Sequence, residues 1–189
     1  MTSKVQICNM ALSRLGASII TSLTDGTTNA NLCNTLFDDL SDRVLTQGSW
    51  AIAINRVALA VTTHTPHFGY TYEYQLPTSP KCLKVLGLDG ETSDIDYRIE
   101  GDKLLTDESA VSIRYIGRPS TTEEYSPLLV ECIEVLLASY LAYPITGDKA
   151  IAQNLKEEYF SLLNNNLAID AQQGSRELIE LSDLVEIRL

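Results

Sequence analysis

The stretch DGETSDIDYRIEGDKLLTD, residues 89–107, carries Asp89, Glu91, Asp94, Asp96, Glu100, Asp102 and Asp107. It reads either as a metal loop or as the turn of a β-hairpin, and the choice decides both fold and function. A twelve-residue calcium loop aligned on Asp89 ends at Glu100, and its third and fifth positions, Glu91 and Ser93, are tolerable ligands. Its sixth position must be glycine for the sharp turn, yet it is Asp94. The flanks also alternate as strands do, whereas a calcium loop needs helices. IDYRIEG and DKLLTD meet at Gly101-Asp102, and glycine supplies the positive φ that a tight hairpin requires. The hairpin is the stronger reading, with the acids kept in water.

Strand-like segments continue on both sides of it. YTYEYQLP alternates, with Tyr70, Tyr72 and Tyr74 on one face and Thr71, Glu73 and Gln75 on the other. WAIAINRVALAV, KCLKVLGL and AVSIRYIGRP are further β-branched runs, punctuated by Pro77, Pro80, Gly87, Gly90 and Gly117. Residues 50–118 are therefore predicted to form a small, mostly antiparallel β domain, sandwich-like or barrel-like. Trp50, at its entrance, is expected to anchor the core or the domain junction. Arg56, inside an apolar strand, is expected to pair with a carboxylate at that junction.

The period changes outside this zone. Residues 1–49 read as two helices. Ser3 caps the first, whose apolar face is Val5, Cys8, Leu12 and Leu15, and Gly16 stops it. The second runs from about Asn29 to Gln47 on Leu32, Leu36, Leu40 and Val44, with Cys33 and Phe37 beside them. Residues 119–172 read as two more. Pro127 opens a helix apolar on most of its circumference, PITG breaks the chain, and Asp148 caps a helix carrying Ile151, Leu155, Tyr159 and Leu162. The predicted fold is α+β: a helical bundle from residues 1–49 and 119–172, with residues 50–118 inserted as the β domain. Residues 173–189 form a separate C-terminal arm. Its Leu178, Leu181, Leu184, Val185, Ile187 and Leu189 are too apolar to hang in water. Either they pack on their own chain or they dock on a partner, and the alternation of the last five suits strand addition to a sheet edge.

Composition narrows the function. The chain has 189 residues, 44% apolar and 21% charged, with a net charge of −11. That acidity argues against a nucleic-acid grip, but it suits a wall that DNA slides past. No apolar run approaches the roughly 18–20 residues a bilayer span needs, and polar residues interrupt the N-terminal stretch where a signal peptide would be apolar. A cytosolic origin is expected. Cys8, Cys33, Cys82 and Cys132 are far apart, with apolar neighbours, and read as buried free thiols. His64 and His67 share one loop, TTHTPHFG, with no cysteine near to complete a zinc set. Neither a phosphate-binding glycine motif nor a nucleophile elbow occurs.

Together these segments resemble a known family. ICNMALSRLGASIITSLTDGTTNANLCNTLFDDLSDRVLTQGSWAIAINRVAL resembles the opening of the phage tail tubular protein A family, the head-to-tail adaptors beneath the portal. YEYQLPTSPKCLKVLGL, YRIEGDKLLTD and VSIRYIGRP are similar to its β segment. LLVECIEVLLASYLAYPITGDKAIAQNLKEEYFSLLNNNLAIDAQQ is similar to its closing helical pair. The resemblance covers residues 5–172. It implies a virion structural protein of the neck, made in the host cytoplasm. The protein would form a ring, commonly twelvefold, between the portal and the tail tube or nozzle. DNA would pass through the lumen without sequence-specific binding, and no membrane, cofactor, metal or catalytic residue is implied. Under this expectation the C-terminal arm docks on the portal or a neighbouring subunit. The competing expectation is a small α+β hydrolase using His64 or His67, or a divalent-ion-binding module.

Overall fold

A computed structural model describes residues 2–48, 50–88 and 95–173 of the chain. The described fold is α+β. The helices are α1 (Lys4–Arg14), α2 (Thr28–Gln47), α3 (Pro127–Thr146) and α4 (Lys149–Gln173). Between α2 and α3 lie β1 (Ile54–Ala58), β2 (Tyr72–Gln75), β3 (Cys82–Leu88), β4 (Tyr97–Glu100), β5 (Lys103–Thr106) and β6 (Ser112–Gly117).

Helix ends follow local chemistry. Ser3 accepts from the Gln6 N–H while Gln6 returns a bond to the Ser3 N–H, a full capping box. Thr27 and Ser126 cap α2 and α3 with a single bond each, accepting from the Ala30 and Leu129 N–H groups, and Pro127 takes the first turn of α3, where no N–H is needed. The break expected at PITG falls at its last residue, Gly147, with Asp148 between α3 and α4. Pro144 sits in the last turn of α3, which runs on to Thr146 and ends at Gly147 in the left-handed region. Pro144 has no N–H for the Tyr140 carbonyl one turn back, and its residue is exposed.

α3 is the centre of the helical part, packed against α1, α2 and α4. Its buried residues run almost round the helix, from Leu129 to Ala142. Among the described residues it alone is long and apolar enough to cross a membrane, although Glu131 and Glu134 interrupt its apolar run. In the fold 67% of that window is buried inside the protein. The stripe on α2 is turned from the predicted one: Ala30, Cys33, Phe37, Leu40, Ser41, Val44 and Leu45 are buried, while Leu32 and Leu36 lie at its margin. On α1 the buried set is Ile7, Cys8, Ala11 and Leu12. Cys8, Cys33 and Cys132 are buried and Cys82 half-buried, all as free thiols. Contact with Cys33 raises the Cys8 thiol pKa and lowers that of Cys33.

The strands form two antiparallel sheets, ordered β1-β6-β3 and β2-β5-β4. Both contribute to one apolar cluster: Leu88, Ile113 and Tyr115 from the first, Tyr74 and Leu104 from the second. The first sheet also has a helical side, because Ile116 belongs to the helical core. β3 serves both clusters through two bulges, between Cys82 and Lys84 and between Val85 and Gly87. The residues these irregularities insert, Leu83 and Leu86, pack on the helical core, while Cys82, Val85 and Leu88 address the other sheet. A bulge re-phases the two-residue alternation, so one strand becomes apolar on both faces.

The opening stretch is the β4–β5 hairpin. Glu100 pairs with Lys103 across Gly101-Asp102, and Gly101 has φ +63°. Asp102 accepts from the Gln75 side chain (2.9 Å), and Asp107 takes both the N–H and the hydroxyl of Thr71 (2.8 and 2.7 Å). These acids fasten β2 to the hairpin. Asp89, Glu91 and Asp94 lie outside the described residues.

Candidate assembly surfaces

Two chain crossings join the helices to the strands, and each carries a fastening side chain. At the first, Trp50 is 8% exposed and its indole N–H donates to the Val44 carbonyl (2.9 Å) at the end of α2. This agrees with the anchoring role expected for it. At the second, Arg118 follows β6 and grips the Asp42 carboxylate on α2 through Nε (2.7 Å) and a second, shorter contact from Nη2. Asp38, one turn earlier, lies 3.8 Å from Arg118 and also takes the Lys4 ammonium at 2.7 Å. The bond from Asp42 raises the Arg118 guanidinium pKa. Beside this network is a cleft of about 700 Å³, lined by Lys4, Asp38, Ser41, Asn55, Arg118 and Tyr125 among others. The buried Ser41 hydroxyl has no hydrogen-bond partner among the described residues.

The expectation for Arg56 is therefore corrected. Arg56 is exposed on β1, directly opposite Arg114 on β6, and no described carboxylate pairs with it. The junction does hold a carboxylate-paired arginine, but it is Arg118. Arg56 is the middle rung of the β1–β6 pairing, whereas Arg118 lies just past the end of β6 and reaches the acids of α2. A signal for Arg118 is present in the sequence: it follows the last strand glycine, Gly117, just as Trp50 follows the last glycine of α2.

A second network ties the helices. Glu134 is the buried carboxylate of α3, and it accepts from Arg14 Nε at 2.6 Å. Arg14 also reaches the more exposed Glu158 on α4 at 2.7 Å. These bonds raise the Arg14 pKa. Glu134, between Ile133 and Val135 on an almost wholly apolar helix, is a sequence signal for such a partner, since a buried charge is costly unless paired.

The histidines lie on the strands' outer side. Thr62 donates its N–H to the Glu73 carbonyl, so residues 61–62 run beside β2 and cover the Glu73 side chain. Alternation alone places Glu73 outside; this covering segment buries it to 9% exposure. Its carboxylate meets His64 Nδ1 (2.9 Å), the Thr62 hydroxyl (3.0 Å) and Lys103 Nζ (3.5 Å). Burial pushes the Glu73 pKa up, but the His64 and Thr62 bonds outweigh it and the net shift is downward. His64 and His67 meet edge to face, with centroids 5.9 Å apart. The acceptors within reach of the Thr62 hydroxyl are the Glu73 carboxylate and the His64 carbonyl rather than the imidazole, which is not the arrangement of an activated nucleophile. Among the described residues no group of three or more His, Cys, Asp or Glu side chains could hold a metal ion.

The surface has apolar points and sheet edges, β1 among them. Phe68, in the same loop as the histidines, is 89% exposed, and Tyr143, Ile151 and Phe160 are exposed on α3 and α4. β1 is the outer strand of its sheet, with Arg56, Val57 and Ala58 exposed. The C-terminal candidates Leu178, Leu181, Leu184, Val185, Ile187 and Leu189 lie outside the described residues. Comparison with known proteins adds no relative: no family model matches the chain, and no curated protein matches it.

Proposed function

We propose that this chain is a structural subunit of a phage neck, a head-to-tail adaptor that forms a ring between portal and tail. In this reading the four helices make a bundle, the strands are its inserted β domain, and residues 173–189 are a docking arm. DNA passes through the lumen. The observation that supports it most is the order of elements: a capped short helix ended at Gly16, a long helix, Trp50 at the entry to the strands, the Gly101 hairpin, and a return to two helices. That order follows the segments through which the sequence resembles the tail tubular protein A family. A net charge of −11 on each copy also suits the role, because a ring multiplies it and an acidic lumen does not retain DNA.

Removing residues 174–189 tests the arm. The truncated subunit should fold, with Trp50 still shielded, and fail to join portal-bearing heads. Normal joining by the truncated protein would remove the docking role. The rival reading, a hydrolase or divalent-ion-binding module, is tested by calorimetric titration with calcium and with zinc. Heat with a clear one-to-one stoichiometry would favour it.

A further inference from the structure

We propose that the outer edge of β4 pairs with the same edge of a second copy of this chain, as antiparallel strands centred on Ile99, with Arg98 of each copy beside Glu100 of the other. The contact does not rest on the ring reading above. A two-fold contact joins two copies and stops, whereas a ring is built from head-to-tail contacts.

The register fixes which backbone groups face outward. The Leu76 N–H donates to the Asp102 carbonyl (3.0 Å), one step beyond the pair Gln75↔Lys103. Asp102 and the even-numbered residues of β5 therefore address β2, while Lys103 and Leu105 address β4. Their partners on β4 are Glu100 and Arg98, which turn their own backbone groups inward to meet them. The N–H and C=O of Tyr97 and Ile99 are left on the outer side. β4 is the last strand of its sheet, and among the described residues no strand or bridge lies beyond it. Such an edge is a place where another strand can add.

The side chains choose the occupant. YRIE carries Arg98 and Glu100 at equal distance on either side of Ile99, and both are exposed. Antiparallel pairing about Ile99 sets each Arg98 directly opposite a Glu100, and opposite charges so placed attract. Within the chain Arg98 stands beside Leu105 and near the Tyr70 phenol, and Glu100 stands beside Lys103. Among the described residues neither forms an ion pair. A charge of one sign guards an edge strand against its own kind. Two of opposite sign, placed symmetrically, make the strand complementary to itself. The other face supplies burial. Tyr74, Leu104 and Ile99 form one cross-strand row. Tyr74 and Leu104 are buried in the β cluster, and Ile99 ends the row at 41% exposure. In the pair Ile99 meets its equivalent, and the row runs on through Leu104 and Tyr74 of the second copy. The outer strand of the other sheet lacks this symmetry, because INRVA carries a cation and no anion.

A charge exchange tests the pairing. In the full-length chain, Arg98→Glu and Glu100→Arg each set two like-charge pairs across the axis. Each should weaken self-association about tenfold or more in sedimentation equilibrium. An equimolar mixture of the two variants restores opposite charges at both positions and should associate as the wild type does. A mixture as weak as its components overturns the proposal, as does a wild type that stays monomeric at about 1 mM. A second arm reads geometry. Ile99 and its equivalent form a hydrogen-bonded pair, with Cα atoms about 5.5 Å apart, within disulfide reach. Ile99→Cys, oxidised with copper phenanthroline, should give covalent pairs on a non-reducing gel. They should form about tenfold or more faster than those of Phe68→Cys, whose position is 89% exposed but off this edge. No pairs, or pairs formed no faster than at position 68, overturn the contact. Rings at the neck built without Ile99 pairs would remove this contact and keep the adaptor.

Discussion

Replacing Arg14 by methionine should destabilise the protein far more than its position near the surface suggests. Glu134 keeps only 8% of its side chain exposed, in the wall of apolar residues on α3, and Arg14 Nε lies 2.6 Å from it. Methionine retains most of the arginine stem, so little packing is lost. What changes is the charge left behind. Removing one partner of a buried ion pair costs roughly 3–5 kcal/mol, because the remaining charge is desolvated and unpaired. Arg14 is itself 31% exposed, so water reaches that end of the pair, and the lower figure of about 3 kcal/mol applies. The melting point should fall by about 6–12 °C, at about 2–4 °C per kcal/mol for a chain of this size. The pair with Glu158, 44% exposed, lies at the other extreme. Glu158→Gln should cost at most about 1 kcal/mol. Arg14→Met with Glu134→Met should recover most of the loss, since hydrophobic replacement of a buried pair is commonly neutral or better. Trp50 is the chain's one tryptophan and is buried in the helical core, so its fluorescence during urea unfolding reads all four proteins. If Arg14→Met costs no more than Glu158→Gln, or if the double variant is as unstable as the single, the burial argument is wrong.

Three further outcomes follow from the geometry. Gly48→Ala would drive a methyl into the Trp50 indole, which its bond to Val44 holds in place; we expect a cost of about 1–3 kcal/mol and a red-shifted Trp50 emission, and an unshifted spectrum at full stability contradicts the anchor. Gly101→Val places a β-branched residue at φ +63° and should cost at least about 1 kcal/mol, while leaving Trp50 emission unchanged; a stability equal to wild type counts against the hairpin turn. Glu73 has a pKa below its ordinary 4.5, so its stabilisation is present above that value and is lost as pH falls through the lowered one. Melting points of wild type and Glu73→Gln should therefore differ at pH 7 and converge in acid; a gap that persists to pH 2 excludes the carboxylate as its source.

Features set by nearest neighbours were the most legible in the sequence. The Ser3 cap, the stop at Gly16 and the Gly101 turn each depend on a few adjacent residues, and each was readable from them. Features set by what packs on an element from elsewhere were not. The α2 stripe is turned because α1 meets its Cys33–Phe37 side through Cys8 and Lys4, a partner that periodicity does not name. Glu73 is buried by residues 61–62, which cross over β2 from a loop. Two bulges re-phase β3 and turn Leu83 and Leu86 to the helical core, which a two-residue alternation does not show. The break at PITG was legible, although Gly147 in the left-handed region ends α3 while Pro144 stays inside the helix. Arg56 and Arg118 exchange roles because distance to the acids of α2, rather than an apolar setting, decides which arginine is paired. The C-terminal arm was legible only as a pattern, apolar and alternating, and it lies outside the described residues.

The measurement that tests the central claim most directly is a set of electron-microscopy class averages of the full-length protein bound to portal-bearing heads. The account predicts a closed ring of this chain seated between portal and tail, with its copies joined to one another, and no ring at that position when residues 174–189 are removed. A chain that stays monomeric beside the heads and instead binds calcium or zinc one to one would contradict it.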